Sequence, residues 1–414
     1  MLTRTPLPSG FNRLAWSNLA AQSAEQVALA AAPIVAVLTL GAGAGDTGML
    51  QTAQTLPFLL LSIPAGVLAD RMSRRRLMAC AEALRAVALA GVLTLAALGW
   101  LTLPLLAALG FVGACGTVAY SVTAPALVPA LVPAEALPVA NGRIELARTI
   151  AFASGPAVAG ALVGWTGATP AFAVAVALSL WAVVLLAGLR EPVRPARAAR
   201  RVLHELREGA AFVFGHALLR PVFVTQLVFN TAFFVLQAVY VPYAVHRLGL
   251  SAVGVGVTLA TYGVGMVVGA LIAPRVIHAL PFGLVVALGP VTGLVAAVVM
   301  VLTVWMPAPV LAALSFFLLG VGPIVWVIST ATLRQTVTPS DLLGRASAIS
   351  MTATGARPIG AAIGALLGAL YGAELCLFVA MVGFAIQAAV ILTSAVMKVE
   401  RQPEMAAPRP EMVR

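Results

Sequence analysis

Charged residues are scarce in this chain of 414 residues, because Lys, Arg, Asp and Glu together make up 9% of it. A soluble domain of this length needs a much more charged surface, so the composition excludes an ordinary soluble globular protein. Segments of short alternating apolar and polar residues, which indicate a membrane β-barrel, are also missing from the sequence. The composition therefore indicates a membrane protein built from helices.

Residues suited to metal, redox and nucleotide chemistry are equally few. The three cysteines form no CxxC pair, which argues against a disulfide framework and against a metal site. The four histidines fall in predicted loops or at the ends of apolar runs, and no glycine-rich loop of the phosphate-binding type occurs. We therefore predict no cofactor, no metal, no ATP-driven step and no enzymatic activity.

Apolar runs of about twenty residues recur along the chain, and each can cross about 30 Å of hydrocarbon as a helix. The sequence predicts an all-α membrane protein with twelve transmembrane helices. Their predicted ranges are 14–40, 47–69, 77–98, 102–123, 140–165, 170–189, 219–245, 251–273, 283–305, 308–332, 344–371 and 373–397.

Positive charge dominates, with 25 Lys and Arg against 14 Asp and Glu. The basic residues concentrate in the N-terminal tail, in every second loop, in the central linker and in the C-terminal tail. By the positive-inside rule, this placement predicts that both termini and the linker are cytoplasmic. No basic face interleaved with aromatic residues is visible, so nucleic acid is not a predicted partner.

Two segments about 200 residues apart share one pattern, in which a short loop leads into a helix of small residues. The first runs from Pro133 to Gly160 and the second from Pro339 to Gly364. In membrane proteins, two halves that face the same way indicate a transporter with its substrate near the midplane between them. The predicted organisation is a first six-helix half at 1–189, a cytoplasmic linker at 190–218, a second six-helix half at 219–397 and a tail at 398–414.

The linker carries apolar residues at helical spacing opposite its charges. They are Val202, Leu203, Leu206, Ala210 and Val213. This pattern favours an amphipathic helix on the cytoplasmic interface, with its basic residues near anionic lipid headgroups. The alternative is a solvated charged segment without that role.

Glu25 is an acid about midway through the first predicted span. An acid in hydrocarbon costs at least about 2.5–3.5 kcal/mol, so Glu25 is expected to face a cavity and to have a partner. One interpretation is a carboxyl that exchanges protons during transport. The other is a structural carboxyl that is hydrogen-bonded to a neighbouring helix.

Other polar residues inside the spans predict the wall of a central cavity. Two pairs with a spacing of four, one in the first span and one in the seventh, put polar side chains on one face of each helix. Two arginines lie deep in the fifth and eleventh spans, where they could line the cavity, pair with an acid or bind an anionic part of a substrate. The candidate residues are Asn18, Gln22, Gln26, Arg148, Gln226, Asn230, Gln237, Tyr240 and Arg357.

A short motif lies at the cytoplasmic end of the second predicted helix, with a Gly, an Asp four residues later and then a basic cluster. Its residues are Gly66, Asp70, Arg71, Arg74 and Arg75. The motif resembles the signature loop of the major facilitator superfamily, and the resemblance implies that these residues latch the two halves and gate the conformational switch. Ser73 stands where the family usually has a second Gly, and the matching segment of the second half, 269–275, has no acid. The latch is therefore expected to be asymmetric.

The fifth span carries a second motif, formed by Gly142, Gly155, Pro156 and Gly160. Its spacing is similar to that of the motif that marks exporters of the drug/proton antiporter branch, with Ala instead of Gly at 151 and 159. Small residues on one face allow helices to approach closely, and Pro156 bends its helix. Ordinary small-residue packing is the alternative interpretation.

Over nearly its whole length, the chain is similar to bacterial exporters related to enterobactin exporters and macrolide efflux proteins. The resemblance is carried by the segments 22–26, 65–76, 132–141 and 154–156. It implies a monomeric secondary transporter of the bacterial inner membrane that exports a hydrophobic or amphipathic small molecule, such as a drug, siderophore or natural product, in exchange for protons. A proton-coupled importer and a lysophospholipid transporter of the same fold remain open alternatives. A membrane enzyme or receptor would need longer external loops.

Overall fold

A computed structural model describes residues 8–133, 136–191, 202–339 and 342–401. The loop positions 134–135 and 340–341, part of the predicted linker (192–201) and most of the predicted tail (402–414) lie outside the described residues. The side chains of five residues that lie in helices are also outside the description. They are Ser9, Asp70, Pro138, Val202 and Leu203.

The described residues form α-helices joined by short connections. The helices are α1 (Ser9–Leu40), α2 (Ala44–Arg71), α3 (Arg74–Ala97), α4 (Leu103–Leu131), α5 (Leu137–Thr166), α6 (Ala168–Ala187), α7 (Val202–Gly215), α8 (Leu219–His246), α9 (Ala252–Ala279), α10 (Phe282–Leu302), α11 (Pro309–Val337), α12 (Leu343–Thr352), α13 (Ala356–Tyr371) and α14 (Ala373–Leu392). A 3-10 turn at Ala353–Gly355 joins α12 to α13, and another at Ala395–Lys398 follows α14.

The twelve predicted spans are confirmed, since twelve helical segments are long and apolar enough to cross a membrane. Several helices continue past their predicted ends. α4 runs to Leu131 instead of 123 because its helix continues through Pro125 and Pro129. Proline is tolerated inside membrane helices when neighbouring groups satisfy the freed carbonyls, so it is a weaker stop signal here than in soluble proteins.

The eleventh span departs from the prediction of one unbroken helix. It consists of α12 and α13, separated by the 3-10 turn at Ala353–Gly355. Pro358 follows this turn and has no N–H to donate to the carbonyl four residues earlier, at Thr354. The break therefore lies directly before Arg357, which stands in the first turn of α13.

Helices α1 to α6 pack into one half, and α8 to α14 pack into the other. The main contacts between the halves join α5 to α9 and α2 to α13. These two contacts are equivalent, because α2 and α9 are the second span of their halves while α5 and α13 belong to the fifth. The predicted pair of parallel six-helix halves is thus the observed arrangement.

The twelve spans alternate in direction, so the bundle has two ends. We call the end where α1 finishes and α2 begins the distal end, and the end that carries α7 the linker end. Glycines bring the halves together at the distal end. Gly160 of α5 lies against the backbone of Gly256 in α9, and Gly48 of α2 lies against the backbone of Ala365 in α13. Because a side chain on either glycine would collide with backbone, these positions set the approach of the helices.

Helix α7 packs against protein on its apolar side. Leu206, Ala210 and Val213 belong to a hydrophobic cluster with residues of α12. Glu208 accepts a hydrogen bond of 2.7 Å from Arg345 of α12, which fixes the helices at one register. These three apolar residues therefore pack against α12, and the placement of the basic residues near lipid headgroups stays a prediction.

Candidate substrate cavity and charge cluster

A cavity of about 310 Å³ lies between the two halves and is lined from both of them. Much of its wall is aromatic, with contributions from α2, α5 and α8. Six of the predicted cavity or proton-site residues line it: Glu25, Gln26, Arg148, Asn230, Gln237 and Arg357. A cavity with an apolar, aromatic wall and a few polar groups is the usual form of a site for an organic molecule.

Four other predicted cavity residues, all of them described, do not line this cavity. Asn18 is buried and donates to the carbonyl of Ile144, which ties α1 to α5. Tyr240 is also buried, and its hydroxyl donates to Thr258 in α9. Gln22 lies one turn before the cavity wall, and Gln226 lines a neighbouring cavity. Helical spacing placed these residues on the correct helices but could not say which neighbour each would meet.

A buried ion cluster at the cavity wall contains two residues that the sequence reasoning missed. Arg85 of α3 is 4% exposed and binds Glu82, which is fully buried on the same helix. Its Nη1 also lies 3.2 Å from Glu25 Oε2 and donates to Thr117 at 3.1 Å. One guanidinium thus pairs with two carboxylates. Arg85 is the partner that was expected for Glu25.

Helix α4 packs beside the ion cluster and contacts Arg85. The ring of Tyr120 lies 6.0 Å from the Arg85 guanidinium carbon, and its hydroxyl is 3.3 Å from that of Ser17 in α1. Arg85 is therefore held by neighbours on α1 and α4. A buried charge without such partners would destabilise the fold strongly, so this cluster requires all three helices in place.

Glycine also shapes this region. A Cβ on Gly116 of α4 would collide with the carbonyl of Ala81 and would lie 3.5 Å from the Arg85 side chain. The lack of a side chain lets α4 approach α3 closely enough for Thr117 to reach the guanidinium. Small residues at such crossings are typical of helix packing in membranes.

The other two cavity arginines come from helices that correspond in the two halves. Arg148 of α5 is paired with Glu145 through two hydrogen bonds of 3.0 and 3.1 Å from Nε, and its guanidinium lies over Phe152. Arg357 of α13 donates from Nε to Asn230 Oδ1 at 3.2 Å. It forms none of the ion pairs found among the described residues.

A second cavity, of about 200 Å³, adjoins the first at Arg148, Asn230 and Arg357. Its remaining lining comes from the second half, including Gln226, Trp326 and Gln387. Asn230 links the two spaces, because its Nδ2 donates to the carbonyl of Gln226 while its Oδ1 accepts from Arg357. The larger, aromatic-lined cavity and the smaller cavity with its polar residues are therefore contiguous.

With this geometry in view, comparison with known proteins identifies the family. The model of the transmembrane secretion effector family matches residues 5–413. The chain belongs to this family of major facilitator transporters. An uncharacterised transporter of the superfamily from Sinorhizobium fredii is 27% identical over 344 residues, which cover 76% of this chain and 78% of the relative.

A multidrug efflux pump named Tap, from Mycobacterium tuberculosis, is 28% identical over 239 residues. That match covers 55% of this transporter and 56% of the pump, so it spans about half of each protein. Among solved structures, the nucleoside transporter NupG aligns with a TM-score of 0.74 at 14% identity and covers 94% of this chain and 100% of that one. A D-xylose–proton symporter aligns with a TM-score of 0.71 at 15% identity and covers 94% and 99%. These structures confirm the major facilitator fold.

The predicted gating loop of this transporter makes its described contacts inside the first half. Arg74 donates to the carbonyl of Ala126 in α4, and Arg75 donates to the carbonyls of Ala187 and Leu189 at the end of α6, both at 3.1 Å. The side chain of Asp70 lies outside the described residues, and Arg71 and Gly66 are largely open to their surroundings. A latch between the halves remains a prediction.

Glu191, which follows α6, caps the helix that carries the buried ion cluster. Its carboxylate accepts a hydrogen bond of 2.6 Å from the hydroxyl of Ser73 and bonds of 3.2 and 3.0 Å from the backbone N–H groups of Arg74 and Arg75. An acid at the first turn of a helix satisfies free N–H groups and interacts well with the helix dipole. Sequence spacing could not reveal this cap, because the residues lie far apart in the chain.

Replacing Glu191 with Ala is expected to lower the free energy of unfolding by about 1–2 kcal/mol, since three donors lose their acceptor. The measurement is the apparent melting temperature of the purified protein in detergent. Glu374→Ala is the matched control, because Glu374 and its partner Arg247 are both half exposed and such pairs contribute little. Equal melting temperatures for the two variants would show that the cap does not stabilise α3.

The predicted exporter motif divides into positions with different surroundings. A Cβ on Gly155 would overlap Gln26, and one on Gly160 would lie 2.5 Å from the carbonyl oxygen of Ala252. Pro156 lines the cavity. Gly142, by contrast, has no described atom beyond its own helix backbone within 4 Å of the place where a Cβ would stand. Two of the glycines thus serve close packing, and one of them is at the contact between the halves.

Proposed function

We propose that this protein is a secondary transporter that exports hydrophobic or amphipathic small molecules in exchange for protons. Its family and the similarity to a protein named as a multidrug efflux pump support export. The positive-inside distribution supports a bacterial inner membrane with the linker end in the cytoplasm. The observation that carries proton coupling is the cluster of Glu25, Glu82 and Arg85 at the wall of the cavity.

Charge counting explains why this cluster suits proton exchange. Two carboxylates share one guanidinium, so the cluster carries one negative charge when both acids are ionised, and one added proton neutralises it. Glu82 is fully buried, whereas Glu25 is 15% exposed and lines the cavity. Glu25 is therefore the acid that a proton can reach from the cavity, and Glu82 keeps Arg85 compensated when Glu25 is neutral.

The packing of the halves supports alternating access. Glycine contacts join the halves at the distal end and near the middle, where Gly263 of α9 lies against Ala153 of α5. At the linker end, Gly142 of α5 and Gly344 of α12 have no neighbour from the described part of the other helices within 4 Å of the place where a Cβ would stand. We therefore assign the structure to the transport state in which the cavity is closed at the distal end. Protons and substrate would drive the exchange by binding the two states with different affinity.

The test is transport by the purified protein in proteoliposomes with a pH-sensitive dye inside. In wild type, transport of lipophilic substrates is expected to drive a proton flux across the membrane. Glu25→Gln is expected to reduce this proton flux at least about tenfold, which corresponds to about 1.4 kcal/mol. Substrate counterflow is expected to persist in the variant. Glu145→Gln is the control, because Glu145 pairs only with Arg148 among the described residues. Undiminished proton flux in Glu25→Gln would eliminate the coupling role. No counterflow of any compound by wild type would eliminate transport.

A further inference from the structure

The three arginines of the cavity differ in how their charges are compensated. Arg85 has two carboxylates, and Arg148 has one. Arg357 has a single neutral partner, the amide oxygen of Asn230. Among the described residues, the second half therefore presents to the cavity one positive charge that forms no ion pair, and the first half presents one negative charge from the acids around Arg85. Glu25 and Arg357 are close enough for their charges to interact across the cavity.

Arg357 is held in place without being neutralised. Its guanidinium lies 5.1 Å from the ring centre of Phe58 and 5.5 Å from that of Phe234. Asn230 fixes the orientation of Nε, and the amide is itself anchored on the carbonyl of Gln226. No hydrogen bond occupies its two terminal nitrogens among the described groups. A guanidinium between aromatic rings with free donors is well suited to bind a planar anionic group.

The smaller cavity beside Arg357 provides an independent observation. Three polar atoms of its lining residues are buried and have no hydrogen-bond partner among the described residues: Thr225 Oγ1, Trp326 Nε1 and Gln387 Nε2. The indole and amide nitrogens are donors, and a buried donor without a partner is unfavourable. This space next to Arg357 therefore contains two buried donors without acceptors of their own, which fits an acidic or carbonyl-bearing group of a ligand.

We propose that the exported compound is an apolar or aromatic zwitterion. Its acidic group binds Arg357 beside the smaller cavity, its protonated amine binds Glu25, and its apolar body contacts the phenylalanines that line the larger cavity. This inference rests on the proposed function and names its substrate class. A zwitterion matches one negative and one positive wall, whereas a simple cation or anion leaves one of the two charges uncompensated.

The same arrangement explains how substrate and proton would exclude each other. The amine and a proton compete for the carboxylate of Glu25, so binding of one releases the other. An anion without an amine would bind at Arg357 without this competition and would not drive exchange. The amine of the substrate is therefore required for coupling, and the acid contributes to affinity.

Four forms of naphthylalanine provide the test: the free amino acid (a zwitterion), its methyl ester (a cation), its N-acetyl derivative (an anion) and its N-acetyl methyl ester (neutral). Binding to the purified transporter is measured by calorimetry. Wild type is expected to bind the zwitterion at least about tenfold more tightly than the other three, because each of those compounds lacks one or both of the charged hydrogen bonds. Arg357→Gln should remove the preference over the ester, and Glu25→Gln the preference over the N-acetyl form.

Arg357→Lys and Arg247→Gln are the controls, since the first keeps the charge and the second removes an arginine that pairs with a carboxylate and lines neither cavity. All variants are first required to elute as wild type on size exclusion. Equal binding of the four compounds by wild type, no binding of the zwitterion, or an unchanged preference in Arg357→Gln overturns the substrate class. Proton-coupled transport of a neutral lipophilic dye in the same preparation would show that the proposed function survives such a result.

Discussion

Replacing Arg85 with Met is expected to lower the free energy of unfolding by about 3–5 kcal/mol, because it leaves a buried carboxylate without a counter-ion. Glu82 is fully buried and has Arg85 as its ion-pair partner among the described residues. Met fills a similar volume, so the loss is electrostatic rather than a cavity effect. The measurement is thermal unfolding in detergent followed by tryptophan fluorescence, together with the yield of folded protein from membranes.

Two further variants separate charge from packing. Arg148→Met removes a partly exposed arginine whose partner Glu145 is also exposed, so it should cost much less. The triple variant Glu25→Gln, Glu82→Gln, Arg85→Met has no charge left in the cluster and should recover most of the stability that Arg85→Met loses, while proton coupling stays absent. An Arg85→Met protein as stable as Arg148→Met would refute the view that the cluster is buried and tightly paired.

The ion cluster shows which part of the site could not be predicted from the sequence, namely the burial of Glu82 and Arg85. Glu25 is conspicuous because it is a single acid in an apolar span. Glu82 and Arg85 stand three residues apart on one helix, so their charges compensate each other locally and indicate a surface pair as readily as a buried one. The structure adds α1 and α4 around them, and that contact between distant segments decides their burial.

The polar pairs with a spacing of four show a second limit of prediction from the sequence. A spacing of four places Asn18 and Gln22 on one face of α1, but this helix is long enough to meet several neighbours in turn. Asn18 lies about 10 Å before Glu25 at 1.5 Å per residue, where the same face meets α5 instead of the cavity. Composition and periodicity therefore predict spans and faces well. The partner of each face depends on helix packing, which these patterns do not specify.

Replacing Gly160 with Ala is expected to open the distal contact and to reduce the transport rate about tenfold or more, since overpacking costs about 1–3 kcal/mol. A Cβ there would lie 2.5 Å from the carbonyl oxygen of Ala252 and 2.8 Å from the Cα of Gly256. Both neighbours are backbone atoms of α9, so no side chain can rotate away. The helices must separate, and separation at this end favours the state that is open on the distal side.

Gly142→Ala is the matched control, because it makes the same change in the same helix and motif where nothing lies within 4 Å. Spin labels at the exposed positions Trp165 and Ser251 would report the distance between the ends of the two helices at the distal contact. We expect a longer distance in Gly160→Ala and no change in Gly142→Ala. If both variants kept the wild-type distance and rate, the glycine contact would not control closure. A change confined to Gly160 would link one part of the exporter motif to the conformational switch and leave Gly142 without that role.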